Sequence, residues 1–458
     1  MVCFRRTLAR WLPVRGAACL LAAALVLLFS EPAQAYPWMI RHAYEGCATC
    51  HADPSGGETL TRYGRAQGEL LLRMRYGAPT AAPDQTSGSE SFDSFDSFDS
   101  FDEEPSSPPA APPSGPEPEP ESFSPPGFLW SAFDLPETLL LGGSLRFASL
   151  WRPLQPDSAI RFFPMQADLY GVWMPGVLQI GGSLGAARVP AGSEHARRAQ
   201  LTTDQGYGLN AISRTHWVGL NVSEGWLVRA GRLNLPFGLR IPEHVMWVRS
   251  ATQTDRESDQ QHGVALSYTG TGLRGELMAI LGNYQVSPDR YRERGYAGFV
   301  EVIAGSGLGV GVSSQLTHAE ADVVLLDEAE TWRQSHGAFV RWVAASQLVV
   351  LGEGDLLLRS RRDPGYVGFL QGDYEAVQGL HLLLTGEVLD LGYRRDPIWY
   401  LRRRRPGNGA PRFGGWATVA WFFYSQLDVR VDARYQQPEN VRMEKSALTL
   451  LAQLHAYL

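Results

Sequence analysis

The sequence predicts a mainly β protein: a transmembrane antiparallel β-barrel of about sixteen strands, preceded by a small, mainly helical segment and a disordered linker. Three observations lead there. From Thr138 onward the chain repeats segments of about ten residues that alternate apolar with polar side chains. The connections between these segments alternate short with long. Aromatic residues gather near segment ends, and no long helical pattern or continuous apolar span interrupts the series.

Residues 1–35 read as a secretory signal peptide. Arg5, Arg6, Arg10 and Arg15 make a basic start, Gly16 to Phe29 form an apolar core, and Ala33-Gln34-Ala35 supplies a small-x-small cleavage site. The apolar stretch is too short and wrongly flanked for a membrane-spanning helix. Of the four cysteines, Cys3 and Cys19 leave with this segment. The mature chain keeps Cys47 and Cys50, so no disulfide framework exists beyond those two. The export signal and a net charge of −7 give no sign of nucleic acid as a partner. Nor does the chain carry a hydrolase triad, a phosphate loop or a dinucleotide fingerprint.

Residues 36–79 contain "EGCATCHADPSGG", with Cys47 and Cys50 two residues apart and His51 directly behind. CxxCH is the attachment site of c-type haem: both thiols form thioethers and the histidine becomes an axial iron ligand. A zinc site would need four ligands, and only His42 and His51 lie near the cysteines. A thioredoxin-like dithiol would need a βαβ context. A disulfide across a two-residue gap would constrain almost nothing. The reading is therefore one covalent haem c on Cys47 and Cys50 with His51 on the iron, and Met74, His42 and Met39 as candidates for the distal position. Leu60, Tyr63, Leu70, Leu71 and Met74 recur at roughly helical spacing and predict one amphipathic helix against the cofactor. So short a segment cannot bury a sufficient core alone, and the expectation is that the porphyrin supplies it.

Residues 80–127 change composition abruptly. "ESFDSFDSFDSFDEEPSSPPAAPPSGPEPEPE" joins a repeated Ser-Phe-Asp triplet to proline-rich acidic sequence without a basic residue. It reads as a disordered linker and carries much of the negative charge.

Residues 128–458 form the barrel. In "QLDVRVDARYQ", Leu427, Val429, Val431, Ala433 and Tyr435 oppose Asp428, Arg430, Asp432 and Arg434; "ALTLLAQLHAYL" repeats the pattern. Short turns at Met174-Pro175-Gly176, Ser223-Glu224-Gly225, Thr269 to Gly272 and Gly305-Ser306-Gly307 alternate with long connections near Val189–Gln205, Asn234–Gln261, Glu320–Trp332 and Gly392–Ala410. That is the outer-membrane pattern. Trp151, Trp173, Trp226, Tyr374, Phe423, Tyr424, Tyr435 and Tyr457 are expected in interfacial girdles. Alternation turns Glu353, Asp355, Asp373, Glu375, Glu387, Asp428 and Asp432 inward, with Arg341, Arg430 and Arg434. Carboxylates there suit iron as hard oxygen ligands, or they pair with the arginines.

Trp38 and Arg41 ahead of Cys47, Leu60-Thr61-Arg62-Tyr63-Gly64-Arg65 behind it, and the barrel stretch "GRLNLPFGLR" (231–240) carry a resemblance. The chain resembles the fused cytochrome–porin iron oxidases of the bacterial outer membrane. It departs from them in its long acidic linker and in the residues before the motif. The resemblance implies a bacterial outer-membrane protein in lipid, with the haem segment on the periplasmic side or inside the lumen. It would pass electrons between an extracellular redox partner such as ferrous iron and a periplasmic c-type cytochrome, which would make it an Fe(II) oxidase. Two rivals share the motifs: a passive porin with a tethered haem sensor, and a haem peroxidase delivered to the membrane.

Overall fold

Period-two alternation produces a wall with two unlike faces. Between Leu380 and Asp390, His381, Thr385 and Glu387 are buried, whereas Leu382 and Leu384 are exposed, Leu384 to 70%. Between Leu308 and Ala319, Ser313, Gln315 and Thr317 are buried while Val310 and Val312 are exposed. A soluble sandwich would bury the apolar face. Apolar outside and polar inside is the arrangement of a barrel in lipid.

The computed structural model describes residues 36–44, 46–74, 128, 133, 135–154, 158–188, 200–202, 209–243, 245–283, 293–305, 307–320, 330–360, 362–392, 411–424, 426–437 and 448–457. The predicted signal peptide and the predicted linker lie outside the described residues. Strands β1 (Leu139–Trp151), β2 (Arg161–Trp173) and β3 (Leu178–Arg188) are followed by the short β4 (Leu209–Ile212) and β5 (His216–Ser223). The series continues with β6 (Trp226–Leu233), β7 (Gln261–Gly270), β8 (Leu273–Gly282), β9 (Arg294–Ala304) and β10 (Leu308–Ala319). It ends with β11 (Thr331–Ala345), β12 (Leu348–Arg359), β13 (Gly365–Val377), β14 (Leu380–Asp390), β15 (Arg412–Tyr424), β16 (Leu427–Gln436) and β17 (Leu448–Tyr457). All pairings are antiparallel, and β1 pairs with both β2 and β17, which closes the sheet. Because β4 and β5 both pair with β3, they form one interrupted wall position, and the barrel has sixteen. Closure leaves no edge strand unpaired.

The lumen is not uniformly polar. Phe339, Val349, Leu351, Val367 and Phe369 point inward and are buried. They share one apolar cluster with Trp38, Ile40 and Leu72 of the N-terminal segment and with Leu239, Met246 and Trp247 of the β6–β7 connection. That connection carries the short helix α2 (Trp247–Thr252) and is tied to the wall: Glu353 accepts from the Leu239 N–H at 2.7 Å, and Glu387 accepts from the Trp247 N–H at 2.7 Å. The segment 36–74 therefore takes its core from the barrel, where the sequence alone suggested a porphyrin would have to supply it.

Two further expectations are corrected. The helix predicted from Leu60 to Met74 is a six-residue α1 (Arg62–Gln67) running into a π-helical turn, Gly68–Leu72. Leu60 and Leu72 are buried, but Tyr63 is 49% exposed, so the spacing does not mark a single buried stripe. Trp151, Trp173, Trp226, Tyr374, Tyr424 and Tyr435 are exposed as girdle residues should be, whereas Tyr457 is buried and packs with Leu60. Tyr457 shares the inward face of β17 with Thr449 and His455.

Candidate functional site

The N-terminal segment is anchored at the short-turn end of the barrel. The Gln378 side chain donates to the Leu70 and Arg73 carbonyls at 2.7 and 3.0 Å, and the Met74 N–H donates to the Phe422 carbonyl at 2.8 Å. Gly379, with φ +80°, lies against this chain; a Cβ there would sit 2.5 Å from the Leu72 carbonyl oxygen. Deeper in, Arg229 of β6 donates to Asp53 at 2.6 Å and to Glu276 of β8 at 2.7 Å, and all three are buried. Arg41 pairs with Glu375 at 2.5 Å.

Within this segment a 3-10 turn, Cys47–Thr49, brings the motif together. The Cys50 and His51 N–H groups both donate to the Cys47 carbonyl, at 3.2 and 2.9 Å. Cys47, Cys50 and His51 thereby line one narrow cleft, partly open to solvent. Met39, Leu60, Leu72 and Leu239 make its apolar lining, and Arg240, Arg274 and Arg341 its cationic one.

The two thiols form no disulfide, and Cys47 Sγ accepts from Arg274 Nη1 at 3.4 Å. Burial, and then the neighbouring Cys47, push the Cys50 thiol up to about 11. Burial, and then the Arg256 charge, push His51 down to about 3 against the opposing pull of Asp53 and Gly57, which keeps the imidazole neutral. Its Nδ1 lies 3.2 Å from the Gly57 carbonyl and 3.1 Å from the Gly57 nitrogen. In the tautomer with Nδ1–H donating to that carbonyl, Nε2 keeps its lone pair, the state an iron ligand requires.

The three distal candidates separate in space. Met39 lines the cleft. Met74 sits outside it, its sulfur accepting from the Trp421 indole N–H at 3.0 Å. His42 also lies outside, with Nε2 accepting from Arg41 Nε at 3.4 Å; burial, then Arg41 and His381, lower it to about 4.

The wall itself can be compared with known proteins. No protein-family model and no curated protein matches the sequence. Among solved structures, OmpF of Salmonella typhi in complex with daunomycin aligns with 70% of this chain and 97% of its own, at 13% identity and TM-score 0.50. The outer-membrane channel DcaP of Acinetobacter baumannii aligns at 12% identity and TM-score 0.49, over 70% of this chain and 97% of its own. The anion-selective porin of Comamonas acidovorans aligns at 12% and 0.46, over 70% and 99%. The fold is a porin-type barrel.

Inside the porin-type wall, most of the predicted inward acids already have partners. Glu353 binds Arg249, Asp432 binds Arg430, Asp373 binds His381 and Asp428 binds His455, at 2.7 to 2.9 Å. Glu387 accepts from the Trp416 indole. These pairings favour the satisfied-ladder expectation over a row of open iron ligands. Two site features escape the motif reading. Gly57, which holds the His51 ring, lies six residues beyond it, though the Gly56-Gly57 pair marks a sharp turn. Arg240 closes the "GRLNLPFGLR" stretch but reaches the cleft only because the β6–β7 connection folds inward.

Proposed function

We propose that this protein is an outer-membrane electron conduit: a c-type haem held by residues 36–74 inside a porin-type barrel, exchanging electrons with an extracellular partner and a periplasmic c-type cytochrome. The observation that carries the reading is the cleft. CxxCH places both thiols and a neutral, oriented imidazole on one wall of an apolar, cation-edged space between the N-terminal segment and the barrel lining. The donor set fits a covalent porphyrin: two thiols for attachment, His51 Nε2 for the iron, and arginines for its carboxylates. A bound haem supplies a one-electron couple. Cys47 and Cys50 fix its position, and Gly57 fixes the His51 ring. Of the three candidates Met39 alone lines the cleft, so it would be the one available to the iron, and a methionine there would raise the reduction potential. Leu60, Leu72 and Leu239 would give the porphyrin an apolar surface to pack against. Ferrous iron is one external donor compatible with this arrangement.

The porin-type wall favours a second reading, passive diffusion with a tethered haem sensor. The two separate in proteoliposomes holding a sealed redox dye, with ferrous iron or dithionite outside. The conduit predicts dye reduction by wild type and none by Cys47→Ala/Cys50→Ala, with low small-solute leakage because Trp38, Ile40 and the β6–β7 connection fill the lumen. Equal dye reduction by the two proteins, or free solute passage without electron transfer, would sink it.

A further inference from the structure

Three arginines, Arg240, Arg274 and Arg341, line the cleft. Arg274 and Arg341 share one carboxylate, Glu301, which takes Arg341 Nε at 2.7 Å and also the Arg274 Nε. Arg240 is 6% exposed, and its Nε and Nη2 have no hydrogen-bond partner among the described residues. The carboxylates whose charges act on Arg240, Glu276 and Asp53, each also pair with Arg229. No carboxylate lines the cleft among the described residues. A buried guanidinium without a partner is strongly unfavourable unless an anion meets it. Guanidinium forks match carboxylates in charge and geometry.

We infer that Arg240, together with Arg274 and Arg341, binds the two peripheral carboxylates of the iron porphyrin, and that Arg240 thereby tunes its reduction potential. The inference rests on the haem reading above and deepens it. The oxidised cofactor carries one more positive charge than the reduced one, so a fixed cation nearby favours reduction. Over about 10 Å at an effective dielectric of about 20, one charge shifts that equilibrium by roughly tenfold, which is 59 mV for a one-electron couple.

The test uses the full chain purified from outer membranes. Covalent haem is measured by pyridine haemochrome, barrel folding by heat-modifiable gel mobility, and potential by redox titration. Arg240→Gln should shift the equilibrium about tenfold toward the oxidised form. Arg240→Lys should recover most of the difference, and Glu301→Gln, which removes the anion between Arg274 and Arg341, should shift it the other way. Haem-loaded Arg240→Gln with the wild-type potential would overturn the clamp and leave the haem reading standing. If Arg240→Gln does not fold, Glu301→Gln decides, and an unmoved or lowered potential there overturns the clamp. A folded wild-type barrel without covalent haem would overturn both.

Discussion

At Gly64 a missing side chain sets how closely α1 lies on the cysteine turn. A Cβ there would stand 2.1 Å from the Cys50 carbonyl oxygen, a backbone atom that cannot swing aside. Thr61 caps the same turn, its Oγ accepting from the Gly64 N–H at 2.9 Å, so the helix start is fixed as well. Gly64→Ala should cost about 1–3 kcal/mol through overpacking. If the proposed haem is attached, the haem-to-protein absorbance ratio should fall severalfold. Gly68→Ala, where nothing lies within 4 Å of the new Cβ, should leave that ratio unchanged. That Cys47, Cys50 and His51 come together was legible from spacing alone, because residues within five positions meet in one turn. The glycine that lets α1 approach was not, since its constraint comes from a carbonyl fourteen positions away.

At the scale of the strand, the two faces of β14 face unlike surroundings. Leu382 and Leu384 look outward, while His381 is gripped by Asp373 at 2.9 Å on the inside. Leu384→Arg should destabilise insertion into vesicles by about 2–4 kcal/mol if the position lies at mid-membrane, read from denaturant-dependent folding in lipid. Little or no change would mean that this face does not meet the apolar core of the bilayer. Strand existence and sidedness were readable because alternation is a two-residue property. Of the predicted girdle aromatics six are exposed, Phe423 is half-buried, and Tyr457 is buried, where proximity to a strand end outweighed parity in the prediction.

For the molecule as a whole, the seating of segment 36–74 in the barrel joins distant parts of the chain through buried ionisable groups. Glu58 accepts from the Thr215 hydroxyl at 2.6 Å. Burial raises its carboxyl to about 8, aided by Asp53 and Asp168 and opposed by Thr215 and Arg256. A released segment would return Glu58 to its ordinary value near 4.5. The seated state therefore holds a proton that the released state has already lost. Its anchoring benefit is complete below about pH 4.5 and is lost as pH rises through about 8. His42 and His51, both lowered, act in the opposite sense but only below their ordinary value of 6.5. Between pH 7 and 8 the seating equilibrium should thus weaken by up to about tenfold per unit. Limited proteolysis within residues 36–74 measures it. Glu58→Gln should flatten the profile, and a slope unchanged by that substitution would rule out Glu58 as its source.

The sequence by itself determined the elements and the chemistry that depends on neighbours in the chain: the alternating strands, the short and long connections, the inward acids and the Cys47-Cys50-His51 turn. Each follows from a period or spacing of a few residues. Only the tertiary structure decided what fills the barrel, because burial of Phe339 and Leu351 against Trp38 and Leu239 depends on segments hundreds of positions apart meeting in one lumen. It likewise decided that Met39 lines the cleft while Met74 and His42 do not, and that Arg240 reaches it with its Nε and Nη2 lacking a hydrogen-bond partner among the described residues. Charge and polarity can be read along a chain. Which charges are left uncompensated depends on where the chain folds back.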